Sequence, residues 1–196
     1  ICFPIMIISL AIGLLFGVGG ATLFSIKLGE KKPDEAAKAL GNAFFLLCLT
    51  GILFTVIGQI LLNPILIWFG TSQNILPYAT EYMRIIFFGA VFQIVSVGLN
   101  HFMRADGSPK LAMLTMFLGA GTNIVLDPIF IYLFHMGMAG AALATIISQA
   151  LSCIWVIYYF TGKHSKIKLQ TAYIRPSFNM IIKIISLGLP NFTMQI

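Results

Sequence analysis

Six apolar runs of helical length organise this sequence: about 3–26, 39–62, 80–102, 111–134, 138–160 and 178–196. A helix crosses a bilayer with roughly 20 apolar residues. Strands of a membrane barrel are about 9–11 residues of alternating polarity, and these runs are longer and unbroken. The chain therefore reads as an all-α integral membrane protein, a polytopic helical bundle. Composition excludes the soluble alternative, with 59% hydrophobic and 9% charged residues against about 25% charged in a soluble domain. Too little polar surface remains to cover a globule in water.

The connectors are of two kinds. Residues 27–38 (KLGEKKPDEAAK), 104–110 (RADGSPK) and 161–183 are basic, whereas 63–79 and 134–140 hold no Lys or Arg. The two kinds alternate along the chain, as successive crossings require. By the positive-inside rule the basic set is cytoplasmic and the first span runs inward. A multi-pass protein of the cell (plasma) membrane, with the lipid bilayer as its first partner, is the expectation. The net charge of +6 does not point to nucleic acid, because it is spread over loops rather than one face of a soluble fold. Eleven of the twelve Lys and Arg residues belong to the basic connectors or their edges. The twelfth, Arg84, stands three residues after Glu81, at the spacing of an interfacial helical pair. Arg104 reads as an anchor for its loop, and GKHSKIK (162–168) as an orientation signal that touches anionic lipid. His135 and His164 fall in loops without metal-ligand company.

Small residues recur at fourfold spacing: Gly13, Gly17, Ala21 and Ser25 in the first run, Gly137, Ala141 and Thr145 in the fifth. Such rows let helix backbones approach closely in a membrane. GVGG (17–20) lies inside a span and lacks the GK[ST] ending of a phosphate loop. Cys2, Cys48 and Cys153 sit in apolar stretches and read as small hydrophobes. The chain starts without Met and stops within an apolar run, so a longer parent is expected.

Of the six acids, Glu30, Asp34, Glu35 and Asp106 fall in cytoplasmic loops and Glu81 near the outer edge. Asp127 alone is deep, in TNIVLDPIFIYLF (122–134). An ionisable residue within a span is costly and is a functional candidate by default. Counting back from the turn near Met136 places it roughly 13 Å into its span, at about 1.5 Å per residue. Counting forward from the same turn places Thr145 at equal depth on the next span. Asn123 is one turn from Asp127 on the same face. Pro128 has no N–H to give the Ile124 carbonyl and marks a helix kink. A carboxylate, an amide, a hydroxyl and a freed carbonyl thus converge. They suit a small hard cation such as Na⁺, or a proton on a desolvated carboxyl. The other reading is a protonated Asp127 that holds the kink through Asn123.

NHFMRADGSPKLAM (100–113) followed by GAGTNIVLDPIFIYLFHMGMAGAALATIISQ (119–149) resembles the multidrug and toxic compound extrusion (MATE) family. LFSIKLGEKKPDEA (23–36) and SLGLPN (186–191) extend the resemblance over nearly the whole chain. It implies twelve helices in two six-helix lobes, with this chain supplying helices two to six and the start of seven. The domains on that map are 1–160, the first lobe without its first helix; 161–177, the cytoplasmic inter-lobe loop; and 178–196, the start of the second lobe. The implied activity is export of small hydrophobic cationic drugs or dyes, driven by inward Na⁺ or H⁺, with no other cofactor and no catalysis. The implied cation site is Asn123, Asp127 and Thr145 with the backbone near Ala141. A helix-one acid completes it, outside this sequence. A monomer is expected. A lipid-linked oligosaccharide flippase of related architecture would need more basic residues in its cavity. An intramembrane enzyme using Asp127 would need a second acid facing it.

Overall fold

The computed structural model describes residues 3–162, 164–170, 173–174 and 176–195. Cys2 and two bases of the last connector, Lys163 and Arg175, lie outside them. All six runs form helices: α1 (Phe3–Gly29), α2 (Pro33–Ile60), α4 (Leu76–Ala105), α5 (Pro109–Pro128), α6 (Gly137–Thr161) and α7 (Phe178–Gln195). The first five are long and apolar enough to cross a membrane, α5 being counted with the turn that follows it. Proline opens α2 and α5 at a helical position whose N–H has no helical partner anyway. A short helix α3 (Leu62–Trp68) occupies part of the first non-basic connector. Leu62 and Leu66 explain it, since one turn apart they bury together against Met83 and Phe87 of α4.

Helix α4 is the hub, packed on α1, α2 and α6. The larger core lies toward the end with the basic connectors. There Phe24 and Phe102 meet edge to face at 5.6 Å and Tyr159 stands against Phe160 at 4.9 Å. Burying each such ring contributes about 1.5–3 kcal/mol where water is the reference solvent. The small row on α1 faces α4, where a methyl on Gly17 would come within 2.6 Å of the Gly98 Cα. Helix α7 lies along α1 just as closely, with Gly188 against the Leu15 carbonyl and Gly19 against that of Ile184. Two members of the expected rows do otherwise. Ser25 is exposed, and Gly137, at φ 54° with open space around it, serves the turn. The close contact on α6 belongs to Gly140, where an added methyl would meet Phe130 at 3.0 Å.

The three basic connectors converge on one end of the bundle, as their alternation requires. The Lys166 N–H donates to Asp106 at 2.9 Å, and the Ser177 N–H to Asn42 Oδ1 at 2.7 Å. At the same end Lys27 pairs with Glu30 at 2.9 Å and Glu35 at 2.8 Å. Hydrogen bonds from Lys27 and then Lys32 hold the Glu30 carboxyl below the ordinary glutamate range. The pair expected between Glu81 and Arg84 does not form. Both are exposed, where an ion pair gains little, and the ion pairs among the described residues are those of Lys27 and Lys32.

Asp106 lies in its connector between α4 and α5, as expected, and is buried there. It is 1% exposed, and its Oδ2 accepts from the Tyr159 hydroxyl at 2.6 Å as well as from Lys166. Tyr159 also meets the Ser108 hydroxyl at 2.8 Å. The preceding Phe102 and Phe160 core and the returning 164–170 segment exclude water from it.

Candidate cation site and the adjoining cavity

Helix α5 loses its regular ladder after Pro128. Lacking an N–H, proline cannot continue the bonding, and the Ile129 N–H turns to the Leu126 carbonyl. The chain then takes a π-helical turn, Ile129–Leu133, a form frequent at functional sites. Gly140 gives that turn room to lie on α6. His135 at φ 53° and Gly137 at φ 54° reverse the chain, and left-handed backbone is open to both types.

This hairpin brings together the carboxylate, amide and hydroxyl singled out in the sequence, with the Ala141 carbonyl that the resemblance implies. Asn123 Nδ2 lies 3.3 Å from Asp127 Oδ1 and 3.5 Å from Thr145 Oγ1. The Thr145 hydroxyl donates to the Ala141 carbonyl at 2.9 Å. Asn123, Asp127 and Thr145 are all half-buried. The two amide contacts are longer than the usual 2.9–3.0 Å of an N–H···O bond, so the carboxylate is loosely held and keeps lone pairs free. Among the described residues no three His, Cys, Asp or Glu side chains gather as a metal cluster would require.

Asn123 and Thr145 also form one end of a cavity of about 580 Å³ between α1, α4, α5 and α6. Its wall repeats at helical spacing, with Gln93, Ser96, Asn100 and Arg104 from α4 and Thr145, Ser148 and Ser152 from α6. Residues three, four and seven apart share a helix face. Several of these polar groups are already engaged: Asn100 Nδ2 donates to the Ala112 carbonyl at 2.9 Å, and Ser148 Oγ to Ala144 at 2.7 Å. Leu10, Leu14 and Met116 supply apolar wall. Arg104, exposed at the end of α4, also lines this cavity. The sequence reading missed the polar stripe, although its three-and-four spacing inside two apolar runs was there to be counted.

The MatE family profile matches residues 1–129. The multidrug export protein MepA of Staphylococcus haemolyticus (strain JCSC1435) is 33% identical over 193 residues, 98% of this chain and 43% of the relative. MepA of Staphylococcus aureus (strain MRSA252) is 30% identical over the same coverage. Among solved structures, an inward-facing multidrug resistance MATE family transporter of the MOP superfamily superposes with a TM-score of 0.94 at 27% identity. That match covers 99% of this chain and 44% of the other. An outward-facing one gives 0.91 at 28% identity over 98% and 43%. The chain thus spans less than half the length of these relatives. It is a multi-pass membrane helical bundle, similar in fold to one lobe of such a transporter.

Proposed function

The chain belongs to the MatE family, and on that footing we propose that its parent protein is a plasma-membrane antiporter that exports hydrophobic cationic drugs or dyes against inward Na⁺ or H⁺. In this reading residues 1–160 belong to the first lobe, 161–177 form the inter-lobe loop and 178–196 open the second lobe. Asp127 takes the coupling ion. Turning the Asn123 amide by half a revolution presents its Oδ1, beside Thr145 Oγ1 and the Ala141 carbonyl, and these oxygens suit a small cation. The same carboxylate, partly desolvated, can instead take a proton.

The observation that carries the proposal is the loose contact of Asp127, Asn123 and Thr145 at the end of the cavity. An ion that draws these groups together pulls α5 against α6 where the π-helical turn leaves α5 least regular. The cavity wall between those helices changes with them. A chain that superposes on both an inward-facing and an outward-facing relative fits alternating access in which a lobe moves largely as a body.

The other readings fare less well on the same cavity. A pyrophosphate-linked lipid would need several cations, and among its lining residues Arg104 alone carries a permanent positive charge. An enzyme with paired acids finds no Asp or Glu among those lining residues. The test loads the full-length parent in proteoliposomes with a fluorescent cationic dye and imposes a Na⁺ gradient or a pH gradient separately. Efflux should follow one gradient and fall to the leak rate in Asp127→Asn. Undiminished gradient-driven efflux in that variant would sink the proposal.

A further inference from the structure

The inter-lobe connector, GKHSKIKLQTAYIRPS (162–177), reads as a basic tether, yet its described residues are held at several points. Burial alternates along it: Ser165 and Ile167 are buried and Leu169 half-buried, whereas Lys166, Lys168 and Gln170 face out. That is the period of extended chain laid along a surface, and Ile167 joins the larger core. Three backbone N–H groups bind the first lobe. Lys166 donates to Asp106 Oδ2 at 2.9 Å, Leu169 to the Phe160 carbonyl at 3.0 Å and Ser177 to Asn42 Oδ1 at 2.7 Å. The Tyr173 carbonyl rests directly on Gly41, where a side chain would not fit.

The attachment points are deep and lie on separate elements. Asn42 of α2 is 2% exposed and Asp106, between α4 and α5, 1%. Asn42 Nδ2 is tied to the Lys38 carbonyl at 2.8 Å, which aims Oδ1 at the connector. Lifting the connector would take these donors from a buried amide and a buried carboxylate and expose Ile167, a costly set of losses. Helix α7 starts at the residue after Ser177 and lies on α1 with backbones touching, Gly188 at the Leu15 carbonyl and Gly19 at that of Ile184. The chain superposes over 99% of its length on an inward-facing relative and 98% on an outward-facing one, a coverage that must include α7.

We propose that Asn42 and Asp106 are positioning residues that clasp the connector to the first lobe, so that it and the start of α7 travel with that lobe. This rests on the antiport reading, in which the lobes move against each other. The lobes then part beyond the clasp rather than within the connector. Movement that an ion starts in the first lobe reaches the second through α7 instead of being lost in a slack loop.

The test uses the full-length parent in proteoliposomes and reads amide exchange by mass spectrometry, with and without a fluorescent cationic dye. Peptides carrying Lys166 and Ser177 should exchange more slowly than unstructured chain, and equally in both conditions. Asn42→Leu keeps the volume and loses the acceptor, so exchange at Ser177 should quicken about tenfold or more while the Lys166 peptide is unchanged. The same variant should lower the rate of gradient-driven efflux without moving the half-saturating ion concentration. Asp106→Asn keeps an acceptor for Lys166 and should keep its peptide protected. Asp34 and Lys168 are exposed and line one hollow of about 260 Å³. A short bis-maleimide should therefore bridge Asp34→Cys/Lys168→Cys and leave efflux running. Wild-type peptides that exchange like unstructured chain, a bridge that does not form, or a bridge that arrests a pair active without it each overturn the clasp and leave the antiport reading standing. Efflux unslowed in an Asn42→Leu whose Ser177 exchanges faster makes Asn42 a fold contact only and overturns it too. Absence of gradient-driven efflux in wild type removes the antiport reading, and the clasp with it.

Discussion

A carboxylate stands at each end of α5, and the two are held in opposite ways. Asp106, just before the helix, is sealed from water, and a tyrosine hydroxyl and a backbone N–H bind its Oδ2 at 2.6 and 2.9 Å. Asp127, near the other end, is half-buried and meets one amide at 3.3 Å. Around Asp106 the backbone is pinned by a large aromatic core and a returning chain segment. Around Asp127 the helix passes from α to π geometry and packs lightly, with Ile124, Val125, Tyr132 and Leu133 all exposed. The contrast teaches that burial alone does not mark a coupling residue. Asp106 too keeps an oxygen without a partner among the described residues, its Oδ1, but on a pinned backbone. A group proposed to load and unload an ion needs vacant coordination and a backbone able to follow, and it is the backbone that sets the outer acid apart.

Substitutions at the two ends sharpen the contrast. The largest expected effect is functional, with Asp127→Asn abolishing gradient-driven efflux while the melting temperature in detergent stays near that of wild type. Asp106→Ala should do the reverse, lowering stability by about 2–3 kcal/mol because a buried hydroxyl and N–H lose their acceptor, while any folded protein still couples. If Asp106→Ala melted like wild type, the pinned end would not be pinned. Thr145→Val removes one oxygen from the outer set and should weaken coupling-ion affinity about tenfold, the value of one such bond, read from the ion dependence of transport. Tyr159→Phe takes one of two donors from Asp106 and should cost about 1 kcal/mol by denaturation, less than Asp106→Ala.

The smallest effect belongs to the exposed ion pairs beside the inner end. The Glu30 carboxyl is held below its ordinary range by Lys27 and Lys32. Its contribution to stability is therefore present at neutral pH and lost as pH falls through the folded-state value. Glu30→Gln should remove that acid-side slope from the melting curve, and raising salt should shrink the difference from wild type.

The spans, their alternation and the outer cluster were legible because each depends on local periodicity. Twenty apolar residues mark a crossing, four residues mark a helix turn, and equal counts from one tight turn place Asp127 and Thr145 level. What was not legible depends on chain that returns from afar. Asp106 sits in Arg-Ala-Asp-Gly-Ser-Pro, which reads as a solvated turn. It is buried because Lys166, sixty residues on, and Tyr159 close over it. The side of α4 that faces a cavity was likewise hidden, since Arg104 at the end of a span looks like any interfacial base until α5 is placed opposite. Gly137 and Gly140 share one motif but divide its duties, and only the φ angle and the packed neighbour separate turn from contact. The sequence could not show the π-helical turn either, although Pro128 named its place.

On the proposed reading the outer acid binds the coupling ion and the inner acid does not. The direct measurement is ion-dependent thermal stabilisation of the purified full-length parent, by Na⁺ titration at fixed pH and by pH titration at fixed Na⁺. A ligand that binds only the folded state raises its stability in proportion to the logarithm of its excess over Kd. Wild type should be stabilised by one of the two ions. Asp106→Asn should show the same increment from a lower baseline, and Asp127→Asn should show none. An increment that survives in Asp127→Asn and vanishes in Asp106→Asn would contradict the account and move the coupling site to the inner end of α5.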